Sequence, residues 1–221
     1  MINNNPLPIF AINLITLNMK KQLNLLLAAV VLFASCSKSN DAKPKVTTDN
    51  TVTIEGTTYP TVKINGQTWT TVNYNGAGGH NYDDSTVNIP SYGKLYNAVE
   101  ANAIVLPSGW RIPSSADFHK LDPGLDGSTG IDSAKLHSLM SKAGWIFPGN
   151  NTSGFNAVPT GEYQEGAMEN SFRLRGWMTS FFGIDCYYVI IEDDNGDILG
   201  STNERIDAAK FSMSLRFVKD N

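Results

Sequence analysis

Residues 51–74 contain short runs of β-prone and polar residues, in which Thr, Val, Ile and Tyr are frequent. The pairs Glu55-Gly56 and Asn65-Gly66 interrupt these runs. An Asn-Gly pair between β-prone runs favours a type I′ hairpin turn, because that turn needs positive φ at both central residues. The pattern predicts three strands, at about residues 52–54, 58–64 and 67–74.

Two segments in the middle of the chain have helical patterns. Ser114 stands before an amphipathic run and Asp117 follows three residues later, so we predict that Ser114 caps a helix whose positive end Asp117 favours. Phe118 then lies on the apolar face of this helix. A second helix is predicted over residues 133–143, with Asp132 as its N-cap.

The rest of the chain predicts strands and loops, apart from a short helix in the Ala/Val/Glu-rich part of residues 92–105. Residues 172–181 and 185–192 are β-prone. A turn is predicted at 193–197. Residues 210–220 alternate apolar and polar positions as a half-buried strand does. Strands, then helices, then strands indicate an α+β fold with an antiparallel sheet.

The N-terminal part resembles a bacterial lipoprotein signal peptide. Lys20-Lys21 precede an apolar run that is too short for a membrane span, and small residues then lead to Cys36. The resemblance implies that residues 19–35 are removed and that Cys36 carries the lipid. We interpret residues 1–18 as a non-native extension before a true start at Met19. An ordinary secretory signal is the alternative.

Residues 36–50 are polar and predict a flexible tether, because they cannot bury enough apolar surface to offset their ordering entropy. Residues 51–221 then suit one domain. Removal of the signal leaves 15 basic against 21 acidic residues. This balance argues against nucleic acid as a partner. We expect membrane contact through the lipid anchor, in an outer-membrane lipoprotein of a bacterial envelope on either its periplasmic or its surface face.

The chain has few side chains that are suited to catalysis or metal binding. Besides Cys36 the chain has one cysteine, Cys186, and its histidines are His80, His119 and His137. Their number and scatter exclude a disulfide framework and a cysteine-based zinc site. No serine has a nucleophile-elbow context. We therefore expect no catalytic residues, no metal site and no enzyme activity.

One oxygen-rich group could bind a ligand. It consists of Asp193, Asp194, Asn195 and Asp197. Such oxygens could hold calcium, which is the one cofactor that we consider. The favoured alternative is a hairpin turn with solvated charges, because the downstream Glu of a helix-loop-helix calcium site is missing.

The densest motif is LPSGWRIPSSADFHKL, residues 106–121. With INGQTWTTVNYN, YGKLYNA, GFNAVPTG, WMTS and LRFVKD, it resembles the Fibrobacter succinogenes major paralogous (FISUMP) domain, in the order of that family. FISUMP domains resemble in turn the C-type-lectin-like fold of formylglycine-generating enzymes. The resemblance implies antiparallel strands, two main short helices and long loops. It also implies a structural role for five residues of the motif, namely Trp110, Arg111, Pro113, Asp117 and Phe118.

The residues of the motif agree with a structural role. Pro113 disfavours helix at the residue before it and leads the chain into the cap at Ser114. Trp110 and Phe118 are interpreted as core residues in preference to a ligand platform. Arg111 is expected to pair with a carboxylate such as Asp117, with a binding role as the alternative.

The function expected from these observations is that of a lipid-anchored recognition or adhesion module. Its variable loops are predicted at residues 75–91, 148–154 and 192–204. Carbohydrate is the ligand class that fold analogy implies. A structural or fimbria-like envelope subunit that binds a surface protein is the alternative, and an enzyme of unknown type is the second. The formylglycine-generating relatives bind copper through paired cysteines, which Cys186 alone cannot reproduce.

Overall fold

A computed structural model describes residues 50–82, 88–126, 132–164, 171–173, 178–204 and 209–221. The predicted extension, the signal peptide, Cys36 and all of the tether before residue 50 lie outside these ranges. Their interpretations stay predictions.

Within these ranges, the first sheet has four strands in the order β1-β2-β3-β12. They are β1 (Thr51–Ile54), β2 (Thr57–Ile64), β3 (Gln67–Thr70) and β12 (Val218–Asp220). Asn65 and Gly66 have φ angles of 47° and 81°, as the predicted hairpin requires. The predicted extension of β3 to residue 74 is wrong. The backbone turns after Thr70 and bonds the C-terminal segment instead, where Tyr74 N–H donates to Leu215 O at 2.9 Å.

The second sheet has eight strands among the described residues, and its main path runs β10-β9-β8-β11-β5-β4. Short strand β6 pairs with β11 and with β7. All pairs are antiparallel except that of β11 with β8. The strands are β4 (His80–Asn81), β5 (Lys94–Tyr96), β6 (Glu162–Gln164), β7 (Ser171–Arg173), β8 (Met178–Phe182), β9 (Cys186–Glu192), β10 (Ile198–Glu204) and β11 (Phe211–Ser214). The predicted loop at 192–204 is therefore largely strand, since β10 pairs with β9 over its whole length.

The described residues form three α-helices, α1 (Ala98–Ala103), α2 (Ser115–Leu121) and α3 (Ser133–Leu139), and a 3₁₀ helix at Pro123–Asp126. Helix α3 is four residues shorter than predicted. The chain leaves the helix after Leu139 because Ser141 N–H donates to Ala157 O at 2.8 Å, and Ala157 N–H donates to Leu139 O at 2.8 Å. In the part of the chain that is described, no helix has the length and apolar character to cross a membrane.

The C-terminal segment is two strands where one was predicted. Strand β11 belongs to the large sheet and β12 to the small one, so residues 215–217 connect the two sheets. The expected half-exposed pattern is also wrong, since Ser212, Ser214 and Arg216 are as buried as their apolar neighbours. A segment between two sheets has no face left for solvent. The architecture is a mixed α+β domain with mostly antiparallel strands.

Arg216 is fully buried and is held by neutral groups. Its guanidinium donates to Asn73 Oδ1 at 2.5 Å and to the carbonyl oxygens of Thr70, Phe155 and Asn156 at 2.9 to 3.0 Å. The Phe155 ring lies 5.0 Å from the guanidinium carbon. Burial lowers the pKa of Arg216 to about 9, so the group is still a cation at neutral pH. Through these hydrogen bonds Arg216, near the C-terminus, connects residues 70–73 near the start of the domain with the loop at residues 155–156.

Candidate functional site

The motif at residues 106–121 divides into a buried half and a surface half. Phe118 is fully buried, with its ring centroid 5.8 Å from that of Trp69 and 5.0 Å from that of Tyr188. Trp110, by contrast, is only partly buried and packs against the edge of the core, and 39% of the Arg111 side chain is exposed. The motif thus supplies both core and surface, and the prediction of a core position is confirmed for Phe118 and only in part for Trp110.

The buried half is organised by the carboxylate of Asp117, whose residue is 2% exposed. It accepts hydrogen bonds from the backbone N–H and the hydroxyl of Ser114, both at 2.7 Å. The bond from the N–H is the Asp117 half of the predicted capping box at the start of α2. Gln67 Nε2 donates to it at 2.6 Å. Both terminal nitrogens of Arg111 also donate to it in a bidentate ion pair.

The environment of this ion pair shifts the pKa of both partners. Burial by itself would raise the pKa of Asp117, but the hydrogen bonds from Arg111, Ser114 and Gln67 outweigh it and hold that pKa well below its usual value. The hydrogen bond to Asp117 is the largest of the effects that raise the pKa of Arg111. Arg111 also donates to Asp220 of β12 at 2.9 Å. The pair therefore fastens the motif to the C-terminal strand.

A groove of about 410 Å³ lies beside the surface half of the motif. Its walls come from α1, from the segment between α1 and α2, and from the turn between β8 and β9. The lining is mostly apolar with a few polar side chains, and includes Asn102, Ile104, Leu106, Trp110, Arg111 and Ile184. Asn102 is exposed, and 56% of Ile184 is exposed. The groove is open to solvent, and its mixed lining offers both apolar and polar contacts to a ligand.

Local hydrogen bonds hold the walls of the groove in place. The capping box between Asn97 and Glu100 starts α1, and Val105 N–H donates to the Glu55 carboxylate at 3.3 Å. On the opposite wall, Ile184 N–H donates to Pro113 O at 2.8 Å. Asp185 accepts from Ser115 N–H at 2.8 Å, which adds a second acceptor at the start of α2. The groove is therefore built on anchored backbone.

The acidic turn between β9 and β10 is a closed hydrogen-bonded structure. Asp193 Oδ1 accepts from the N–H groups of Asn195 and Asp197 at 2.9 and 2.8 Å. These bonds lower the pKa of Asp193. Gly196 has a φ of 85°, which suits the turn. Asp194 is exposed beside them. The geometry has the form of the predicted hairpin turn, and calcium binding at these residues stays a prediction.

The remaining candidate residues and loops do not form a common site within the described part of the chain. Within the described ranges, no three His, Cys, Asp or Glu side chains are placed to hold a metal ion. His80 stacks on Tyr163 and His137 Nδ1 lies 3.0 Å from Ser133 O, while Cys186 is buried. The predicted loop at 148–154 is tied to α3, since Asn150 N–H donates to His137 O at 2.9 Å. Part of the loop at 75–91 lies outside the described residues.

Two groove residues, Asn102 and Ile184, were not predicted from the sequence. They are far apart in the chain, and neither has a neighbour that marks it. Glu192 was also missed as a structural residue. Its buried carboxylate accepts from the N–H groups of Ile146 and Phe147 at 2.9 and 2.8 Å. No local pattern distinguishes these residues from surface polar and apolar residues.

The fold and the groove define an α+β domain with two sheets and a surface groove, which is formed by the motif at residues 106–121 and the segments that pack on it. The model of the Fibrobacter succinogenes major domain family matches residues 62–219, and the chain belongs to that family. The family resemblance seen in the sequence is thereby confirmed. No curated protein and no solved structure matches the chain, so the C-type-lectin-like fold stays a prediction.

Proposed function

We propose that this chain is a lipid-anchored, non-catalytic recognition module of a bacterial envelope, and that it binds its ligand in the groove beside Trp110. One observation carries the proposal. Trp110 and Arg111 stand at the wall of a groove, whereas Asp117 and Phe118 of the same motif are buried. A large aromatic residue at a rigid, partly apolar depression is a common anchor for a ligand.

The proposal of a non-catalytic role is supported by the state of the nearby carboxylates. Asp117 accepts its full set of structural hydrogen bonds, Asp185 caps Ser115, and Asp220 accepts from Arg111 and Gln67. Their positions are explained by the stability of the fold. A general acid or base would need its proton-transferring oxygen directed at a substrate.

The proposed location in the envelope rests on the sequence. The signal-like segment before Cys36 and the polar tether after it fit a domain that is held near a membrane by acyl chains. Carbohydrate is the proposed ligand class. It rests on analogy with C-type-lectin-like folds, and on the mixed apolar and polar lining of the groove.

Binding of the full-length chain, purified in detergent, to a panel of glycans and insoluble polysaccharides tests this proposal. The groove variant is Ile184→Asp, and the matched control is Val99→Asp, an exposed apolar residue in the first turn of α1 that does not line the groove. We expect saturable binding that Ile184→Asp abolishes and Val99→Asp preserves. Equal binding by both variants would contradict the groove as the site. A chelator arm tests calcium at Asp193 separately.

A structural subunit is the second candidate. In the described part of the chain, β1 and β10 stand at sheet edges, where their outer backbone groups can accept a strand from another chain. This function predicts defined oligomers or heteromers at micromolar concentration. Sedimentation analysis that shows a monomer, together with glycan binding at the groove, would argue against it.

A further inference from the structure

We infer that the groove selects a neutral saccharide, which packs a C–H-rich ring face on Trp110 and places a hydroxyl group against Arg111. This inference rests on the proposed function and adds the chemistry of the ligand.

Arg111 has hydrogen-bond donors that its two ion pairs do not use. A guanidinium has five N–H groups, and the ion pairs with Asp117 and Asp220 use three of them. In the part of the chain that is described, the Nε–H and one Nη1–H are left for a ligand at the groove wall. Because two carboxylates fix the guanidinium plane, these donors are held in place before a ligand arrives. They suit an oxygen acceptor such as a sugar hydroxyl.

The charges around the groove do not favour an anion. Among the described residues that line the groove, Arg111 is the charged one. Its guanidinium pairs with Asp117 and with Asp220, so its positive charge is already compensated. An acidic glycan would meet no uncompensated positive charge, whereas a neutral one meets no electrostatic penalty.

The lining is amphipathic in the way that a pyranose ring is. Trp110, Leu106 and Ile184 provide an apolar surface, and Asn102 and Arg111 provide polar groups at the same groove. A purely apolar ligand would take water from these two polar side chains without replacing its hydrogen bonds. A sugar presents C–H groups on its faces and hydroxyl groups at its rim, so it can satisfy both parts of the lining.

An extended peptide fits the groove less well. Recognition of a strand requires unpaired backbone groups at a sheet edge. At this wall the backbone of Arg111 already pairs with that of Val218, through two N–H···O bonds of 3.0 Å. The adjacent edge of β12 is therefore occupied at that point by the motif itself. A ligand that binds through side chains, as a saccharide does, is compatible with this pairing.

Calorimetric titration of the full-length chain with soluble neutral oligosaccharides (β-glucan, xylan, mannan and α-glucan fragments) and acidic ones (oligogalacturonate, heparin fragments) tests the inference. We expect a neutral series to bind. Trp110→Ala should weaken that binding at least about ten-fold, and Trp110→Phe much less, because a ring face is retained. Affinity should change little between about 0.05 and 0.5 M NaCl, since screening acts on charged pairs.

Two variants distinguish a loss of binding from a loss of folding. Ile184→Asp changes an exposed side chain and should abolish binding with an unchanged urea midpoint, and Val99→Asp, at an exposed position that does not line the groove, should bind as the wild type does. Preference for acidic glycans, with loss of affinity in salt, would overturn the inference. So would neutral binding that no groove variant weakens. If an envelope protein bound instead, and Ile184→Asp abolished that binding, the recognition function would stand and the saccharide inference would fail.

Discussion

Replacement of Asp117 by alanine should destabilise the domain strongly, because this carboxylate is the buried centre of the motif. It removes the side-chain cap of α2, which is worth about 1 kcal/mol. It also removes the hydrogen bond from the buried Gln67 to a charged group, worth about 1.5–3 kcal/mol. The exposed Arg111 regains water, so its pairing adds about 0.5 kcal/mol at most. We expect a loss of about 3–4 kcal/mol.

The assay is urea unfolding at pH 7, followed by far-ultraviolet circular dichroism with an unchanged slope m. For a domain of this size the melting temperature should fall by about 10 °C. Asp220→Ala is the matched control, because Asp220 belongs to the same network but its side chain is 59% exposed. It should change stability much less. Similar, small effects of both substitutions would refute the reasoning that burial of Asp117 makes its network stabilising.

The same pair of proteins makes a prediction about pH. The pKa of Asp117 is lower in the folded than in the unfolded state, so its stabilisation is complete above the unfolded value of about 4 and is lost as pH falls through the folded value. The difference in unfolding free energy between wild type and Asp117→Ala should therefore be constant above about pH 5 and shrink below about pH 4. A difference that grows on acidification would contradict the sign of the shift.

Three further predictions concern single substitutions. Arg216→Met should cost about 1–3 kcal/mol in urea unfolding, because it leaves buried carbonyl oxygens without their donor; a neutral outcome would show that the site repacks. Gly149→Ala should lower the yield of folded protein and its urea midpoint, since a Cβ would collide with the Met140 backbone; a wild-type midpoint would contradict this close approach. Asp193→Ala should lower the thermal midpoint more than Asp194→Ala does, because only the former accepts the turn's N–H groups; equal midpoints would count against that role.

Local features of the fold were predictable from the sequence because they depend on neighbouring residues. The turn at Asn65-Gly66 follows from the φ angles that these residues tolerate, and it has those angles in the structure. The start of α2 at Ser114 follows from hydrogen bonds that span three residues. The resemblance of the motif blocks identified the family, which the match over residues 62–219 confirms.

Features that depend on distant segments were not predictable in the same way. The alternation at 210–220 indicates one half-buried strand, but the segment passes between two sheets and is buried on both sides. Helix α3 ends early because residue 157 competes for its backbone. In each case a partner far along the chain satisfies groups that local periodicity assigns elsewhere.

The candidate site shows the same division. The sequence by itself determined the motif, its cap, its ion pair and the family, because each of these depends on residue type and short spacing. The tertiary structure alone decided that Trp110 faces a groove while Phe118 lies in the core, and that Asn102 and Ile184 join Trp110 there. Burial and the shape of a cavity arise from packing between segments that are distant in the chain, which no local pattern records.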